Sequence, residues 1–165
     1  MGLIVEDGTG KSDANTYVSL AEADAYFVDH GAPASWSGVA SGSRIAALKY
    51  ATSSMNSFGW IGSLFNFTQA LAWPRIGAID AEGRDVSGIP QRVKDAQCEY
   101  AFAHVQKSIV TPVDRNDVLQ SVSAGSVSLT WKDNAPVDRD FDYIYGLLDG
   151  LAIGLNGSEI PIYRS

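Results

Sequence analysis

The sequence has 165 residues and a mass of 17.6 kDa, with 45% hydrophobic and 19% charged residues. This length and composition predict one globular domain with its own core, and they exclude an intrinsically disordered chain. Twelve Lys and Arg against nineteen Asp and Glu give a formal charge of −7. Because the summed field of such a chain repels polyanions, a general nucleic-acid groove is disfavoured.

Cysteine content and hydropathy limit the cellular context. Cys98 is the only cysteine, so an internal disulfide and a thiolate metal cluster are excluded, and its helical surroundings favour a small buried apolar role. The first residues lack a basic segment followed by an apolar run, and no stretch approaches the roughly 20 apolar residues of a membrane span. We therefore expect a protein without a membrane segment, folded in a reducing cytoplasm.

The first half of the chain predicts one capped helix after an irregular start. Residues 2–18 carry turn chemistry, with a short apolar patch that could pair as an edge strand. Ser19 and Glu22 have the spacing of a capping box, and Gly31 offers a left-handed stop. Together these signals predict a helix over residues 19–30.

Two further helices and a long connection follow. Apolar residues at helical spacing predict a helix over about 44–58 after a Gly/Ser-rich connection. Pro90, which is favourable in a first helical turn, begins a third predicted helix that runs to about Lys107. Residues 59–88 contain five glycines and predict a long loop with one helical turn near Phe67. A loop of that length is usually functional or ordered by a partner.

In the last third of the chain, the spacing of apolar residues changes from a helical period to the alternation of a strand. Residues 118–131 alternate between apolar and polar side chains around Gly125 and predict a β-hairpin, and residues 139–149 predict a short helix. The predicted fold class is mainly α, a small bundle of three to four helices with a β-hairpin arm and extended terminal segments. Its organisation is a single domain over 1–165, with a helical core at about 19–110, the arm at about 118–131, and a C-terminal helix and tail at 138–165.

The segment Gln69–Arg75 combines an aromatic ring, a rigid proline and a fixed cation. Trp73 precedes Pro74, so helical backbone is disfavoured there, and Arg75 can reach a carboxylate, a carbonyl or a phosphate in a fixed direction. These residues are typical of an assembly contact rather than a reaction centre. The alternative is a loop anchor whose Trp73 fills the protein's own core.

Two segments look like ligand-binding motifs, but each lacks a glycine at the position where the motif requires one. Gly8–Ser12 ends like a phosphate-binding loop, but Val5 stands where such a loop needs its first glycine. Asp138, Asp140 and Asp142 alternate like calcium ligands, but Tyr143 replaces the turn glycine of that motif. Acidic residues at the start of a helix, which interact favourably with its dipole, explain the aspartates better.

No catalytic constellation is evident in the sequence. His30 and His104 lie at a helix end and on a helix flank, without neighbours that resemble a zinc pattern. Neither Cys98 nor any serine has a recognisable base or oxyanion site nearby in the sequence. We therefore expect no enzymatic activity, no metal and no cofactor.

Four segments together resemble one family. They are ANTYVSLAEADAYF at 14–27, QALAWPR at 69–75, IPQRVKDAQCEYA at 89–101 and VSAGSVSLTW at 122–131. This combination resembles small tailed-phage proteins labelled DnaT-like single-stranded-DNA-binding proteins, which are similar to phage head–tail connector and head-completion adaptors. The resemblance spans about residues 4–131.

The resemblance implies a mainly helical subunit that forms a ring, expected to be twelve-fold, beneath the portal. Its partners would be the portal protein and the tail terminator or next neck protein, with DNA passing through the lumen without specific binding. The protein would lie in the virion neck after assembly in the host bacterial cytoplasm. The residues expected at these interfaces are Trp73, Pro74, Arg75, Val127, Leu129, Trp131, Ile160, Ile162 and Tyr163.

The family label leaves a second function open, a replication-type protein that binds single-stranded DNA (ssDNA). Such a protein needs a basic groove with aromatic platforms, on which each stacked base contributes roughly 1–3 kcal/mol. Aromatic residues are present, but Lys and Arg are scattered and outnumbered. Charge therefore favours the connector over the ssDNA binder.

Overall fold

The computed structural model describes residues 2–31, 34–106, 119–123, 128–131 and 139–153. Within these ranges the chain is mainly α-helical, which confirms the predicted fold class. The helices are α1 Leu20–Asp29, α2 Ala34–Ser37, α3 Ser41–Met55, α4 Gln91–Val105 and α5 Arg139–Leu148. The strands are β1 Gly59–Trp60, β2 Ser63–Leu64, β3 Arg75–Ile76, β4 Leu119–Ser123, β5 Ser128–Trp131 and β6 Ala152–Ile153.

The predicted capping box begins α1. The Ser19 hydroxyl accepts a hydrogen bond from the Glu22 backbone N–H at 3.1 Å, and the Glu22 carboxylate accepts one from the Ser19 N–H at 2.7 Å. The bond from the Ser19 N–H lowers the pKa of Glu22. Gly31 follows the helix with a φ of 73°, so the left-handed stop is also confirmed.

Helix α4 is the centre of the bundle and packs mainly against α3 and α5, and less against α1. Alanines on its buried face, Ala96 and Ala101, allow close approach of its neighbours. The predicted helix at 44–58 is shifted toward the N-terminus, because α3 begins at Ser41 and ends at Met55. None of the helices in the described ranges is long and apolar enough to cross a membrane.

The loop predicted at 59–88 contains three short strands instead of one helical turn. Strand β2 pairs with β3, whereas β1 pairs with β6 far along the chain, and both pairings are antiparallel. Residues 67–70 form turns and bends rather than helix, so that part of the prediction is wrong. The third pair, β4 with β5, confirms the hairpin at 118–131.

A buried glutamine joins the N-terminal segment to the bundle. The Gln97 side chain is fully buried and accepts a hydrogen bond from the Tyr17 N–H at 3.0 Å. Its amide group donates to the Thr16 hydroxyl at 2.7 Å and to the Leu48 carbonyl of α3 at 3.1 Å. Gln97 thus fixes residues 16–17 against both long helices.

Candidate functional site

Trp73 lies in the protein's own core. Its side chain is fully buried, and its ring stands nearly perpendicular to that of Trp60, with 5.8 Å between ring centroids. The Trp73 backbone N–H donates to the Tyr17 hydroxyl at 3.2 Å. Pro74 is also buried and follows a cis peptide bond. Neither side chain is exposed on the subunit, so the loop-anchor alternative describes where Trp73 lies.

The guanidinium of Arg75 binds backbone carbonyls of the same chain. Its Nε donates to Ile61 at 2.6 Å, one terminal nitrogen donates to Ala72 at 3.1 Å, and the other donates to Gly62 at 2.8 Å. Partial burial lowers the pKa of Arg75. Of the three partners that the sequence allowed for this cation, the carbonyl is the one observed. Arg75 therefore holds the chain before β2 against the chain before β3.

Gln69 fixes the turn between β2 and β3. Its side-chain nitrogen donates to the carbonyls of Leu71 at 2.7 Å and Pro74 at 3.0 Å. Its side-chain oxygen accepts from the Asn66 N–H at 2.8 Å, and the Asn66 side chain in turn accepts from Thr68. The two polar ends of the QALAWPR segment thus bind the loop internally, while Trp73 anchors it in the core.

This framework presents an exposed apolar surface. Leu64, Phe65, Phe67 and Ile76 are 39%, 51%, 98% and 52% exposed, and we call them the 64–76 surface. In the β2–β3 register Leu64 lies opposite Arg75 and Ile76 lies opposite Ser63, so Leu64 and Ile76 leave the pair on different faces. Exposed apolar side chains gathered in one loop are candidates for an interaction site. Sequence reasoning missed these residues, although the run Leu64-Phe65-Asn66-Phe67 in a loop was a visible signal.

A groove of about 370 Å³ lies beside the turn that carries Phe67, although Phe67 itself does not line it. Leu64, Gln69 and Ala70, which flank Phe67 in the chain, contribute to its lining. Its remaining walls are mainly apolar. They are formed by Phe58, Trp60, Leu71, Ala72, Asn56 and Arg75.

The cations beside the 64–76 surface are already occupied. The Lys11 ammonium lies 2.9 Å from the Asp7 carboxylate and donates to the Val5 carbonyl at 2.9 Å. The Lys11 carbonyl accepts from the Ala70 N–H, which places this pair next to the turn. Arg75 is bound to carbonyls as described above. In this part of the described structure, the surface is apolar, and its two cations, Lys11 and Arg75, have donors engaged within the chain while Arg75 keeps its charge.

The Gly8–Ser12 segment folds around a carboxylate of its own chain. Glu6 is 1% exposed, and one of its oxygens accepts the N–H groups of Gly8 and Gly10, both at 2.9 Å. The other oxygen accepts the Lys11 N–H at 2.7 Å. Backbone N–H groups that would bind a phosphate in a true phosphate loop therefore bind Glu6, which supports the rejection of that motif.

The remaining candidates are structural. His30 stacks on Tyr26 and His104 stacks on Tyr50, with centroids 4.1 and 4.0 Å apart. Cys98 is a free, buried thiol, and burial raises its pKa. Among the described residues, no group of three or more His, Cys, Asp or Glu could hold a metal ion.

A second groove, of about 380 Å³, lies between α1 and α4. Glu22, Asp29 and Asp95 contribute carboxylates to its lining, and Lys94 contributes an ammonium 3.9 Å from Glu22. The groove therefore combines opposite charges around a partly apolar floor that includes Cys98.

The predicted contacts in the hairpin and tail are only partly described. Leu129 and Trp131 lie in β5, where they pair with Val122 and Leu119 of β4. Val127, Ile160, Ile162 and Tyr163 lie outside the described residues, and the interface role of these four and of Leu129 and Trp131 stays a prediction. Asp138 of the rejected calcium motif also lies outside the described residues.

Comparison with known proteins identifies the family. A family model described as "Putative DnaT-like ssDNA binding protein" matches residues 1–165. The chain belongs to this family, which confirms the family part of the resemblance. No curated protein and no solved structure matches the chain. The connector role stays a prediction.

Proposed function

We propose that this chain is a structural assembly protein that acts through protein–protein contacts, as a ring-forming connector of a virion neck. The observation that carries this proposal is the 64–76 surface, which exposes Phe67 almost completely while Lys11 and Arg75 are engaged in internal contacts. Interfaces are enriched in aromatic side chains and depleted in charges at their centre. A net charge of −7 also disfavours binding to a polyanion.

Within this proposal the ring joins the portal protein to the tail terminator or next neck protein, and DNA passes through an acidic lumen. Each subunit of a ring presents one face to a different face of its neighbour. An exposed apolar surface held on a stiff loop suits such a contact, because little conformational entropy is lost when it is covered.

The family description favours a second function, ssDNA binding, and it names no other. Phe65 and Phe67 are exposed aromatic side chains on which bases could stack. Binding to the phosphate backbone would require cations, and the donors of the two cations beside this surface are engaged within the chain, Lys11 with Asp7 and Arg75 with backbone carbonyls. Geometry therefore supports the protein–protein function, whereas the family description supports the nucleic-acid function.

Two measurements on the full-length protein separate these functions. Native mass spectrometry and negative-stain electron microscopy, with and without the purified portal protein, should show rings or portal-bound subunits. A fluorescence titration with labelled oligo(dT) should show weak binding at physiological salt. Tight oligo(dT) binding with a linear decrease of log affinity against log salt, without rings or portal binding, would establish the ssDNA function and contradict the connector.

A further inference from the structure

Phe67 projects from the 64–76 surface, and a groove on another part of the same subunit is large enough to receive its ring. Phe67 is 98% exposed, so its ring contacts almost nothing on its own subunit. The groove has a volume of about 370 Å³. A dry apolar cavity of about 150 Å³ is large enough to bind benzene, so this groove can accept a phenyl ring.

The groove offers a ring suitable contacts. Phe58, Trp60, Leu64 and Leu71 supply apolar walls, and Arg75 also lines the groove. Aromatic rings pack favourably against other rings in tilted or edge-to-face geometry, and a guanidinium stacks on their faces. This lining therefore suits a phenyl ring.

We propose that Phe67 of one copy inserts into this groove on a second copy of the chain. This inference deepens the proposed function, on which it rests, by naming the partner and the contact. One chain carries both halves of the contact, which supports a second copy as the occupant. A projection that fits a recess elsewhere on an identical molecule produces self-association, and rings arise when the rotation between copies closes.

Charge supports the same occupant. Two copies of a chain with a net charge of −7 repel each other, so self-association is least opposed where the surface is neutral. Around the groove, Asp7 is neutralised by Lys11, and the Arg75 guanidinium is held by its carbonyls. In this part of the described structure, Phe67 of one copy can therefore meet the groove of another without repulsion between carboxylates.

Both halves are held in place before they meet. Gln69 and Asn66 fix the turn that carries Phe67, and Arg75 fixes the chain that forms the groove wall. A contact between pre-organised parts loses little entropy on formation. Gln69 and Arg75 are in this view positioning residues, and Phe67 makes the contact itself.

The test is the association of the full-length protein, measured by sedimentation velocity over a range of concentrations. Phe67→Ser should weaken self-association about tenfold to a hundredfold, because each contact then loses the burial of one phenyl ring. Ala70→Glu places a carboxylate in the groove and should have a similar effect, since Ala70 lines it and is exposed. Val28→Ser is the matched control, because Val28 is 73% exposed on α1 and should leave association unchanged.

Mixing the two variants provides the decisive measurement. Phe67→Ser retains an intact groove and Ala70→Glu retains Phe67, so an equimolar mixture should associate at least tenfold more tightly than either variant alone. Circular dichroism melting curves that match the wild type exclude unfolding as the cause.

The outcomes separate this inference from the proposed function. If the wild type forms rings and Phe67→Ser forms them equally well, the contact is wrong and the connector stands. A wild type that stays monomeric both alone and with the portal contradicts the contact and the connector together. Association of the wild type that the single variants weaken but their mixture does not restore also overturns the proposed insertion.

Discussion

Replacing Arg75 by methionine tests whether this residue stabilises the loop or is available to bind a partner. Methionine keeps a long unbranched side chain but removes every donor of the guanidinium. The carbonyls of Ile61, Gly62 and Ala72, now bound at 2.6, 2.8 and 3.1 Å, would lose their partner. The loop between β1 and β3 would keep the β2–β3 pairing, the bonds of Gln69 and the buried Trp73, but it would lose the three bonds that join these carbonyls to Arg75.

The expected cost follows from these three bonds. A hydrogen bond to a charged group contributes about 1.5–3 kcal/mol to stability, but Arg75 is only partly buried and water can replace part of each bond. We therefore expect Arg75→Met to lower the free energy of unfolding by about 3 kcal/mol. For a chain of this length each kcal/mol shifts the melting temperature by about 2–4 °C, so the melting point should fall by about 6–12 °C.

Urea denaturation of dilute, monomeric protein measures this cost without contributions from assembly. Arg84→Met is the matched control, because the Arg84 side chain is 71% exposed where it pairs with Glu82, also 71% exposed, and with Asp80, which is 11% exposed. Because the Arg84 guanidinium is solvated, we expect these pairs to contribute about 1 kcal/mol. If Arg75→Met costs no more than Arg84→Met, Arg75 does not hold the loop and the argument is wrong.

Three further predictions concern buried groups. Glu6→Gln should lower the free energy of unfolding by about 1–3 kcal/mol, because the amide nitrogen of Gln would face a backbone N–H group that now donates a hydrogen bond to the Glu6 carboxylate. Urea denaturation measures this cost, and an equal cost of Asp7→Asn would contradict the prediction. Burial raises the pKa of Tyr17 above the ordinary value of about 10, so its contribution to stability is fully present below about pH 10 and is lost as the pH rises further. Denaturation curves from pH 8 to 11 should show this loss, and Tyr17→Phe should have a weaker dependence; an identical dependence would refute the assignment. The Cys98 thiol, which is 1% exposed, should react with a disulfide reagent in native protein far more slowly than in urea, and comparable rates would show that the helix packing around it opens readily.

Local signals in the sequence were sufficient for the helices and the hairpin. Ser19 and Glu22 form the capping box that their spacing indicated, and Gly31 ends α1 as expected. Such interactions join residues within one or two turns, so they are visible without knowledge of the fold. The alternation at 118–131 is local in the same way and gave the β4–β5 pair.

Contacts between residues far apart in the sequence cannot be predicted from local patterns. Nothing near Gly59 or Ile153 indicates that these two residues pair, because the pairing depends on how α4 and α5 pack between them in the chain. The partners of Arg75 are backbone carbonyls, which every residue possesses and no sequence pattern marks. The sequence therefore indicated that the Trp-Pro-Arg segment matters, but it did not indicate that Leu64, Phe65 and Phe67 are what the segment presents.

The amide of Gln97 has a consequence for how the protein folds. Its partners Thr16 and Tyr17 lie about eighty residues earlier in the sequence, and Leu48 lies between them and α4. Contacts at such separation form late, because closing the intervening chain costs entropy before any bond is gained. The N-terminal segment should therefore dock only after α3 and α4 have met, because Gln97 of α4 and Leu48 of α3 together form the place that receives it.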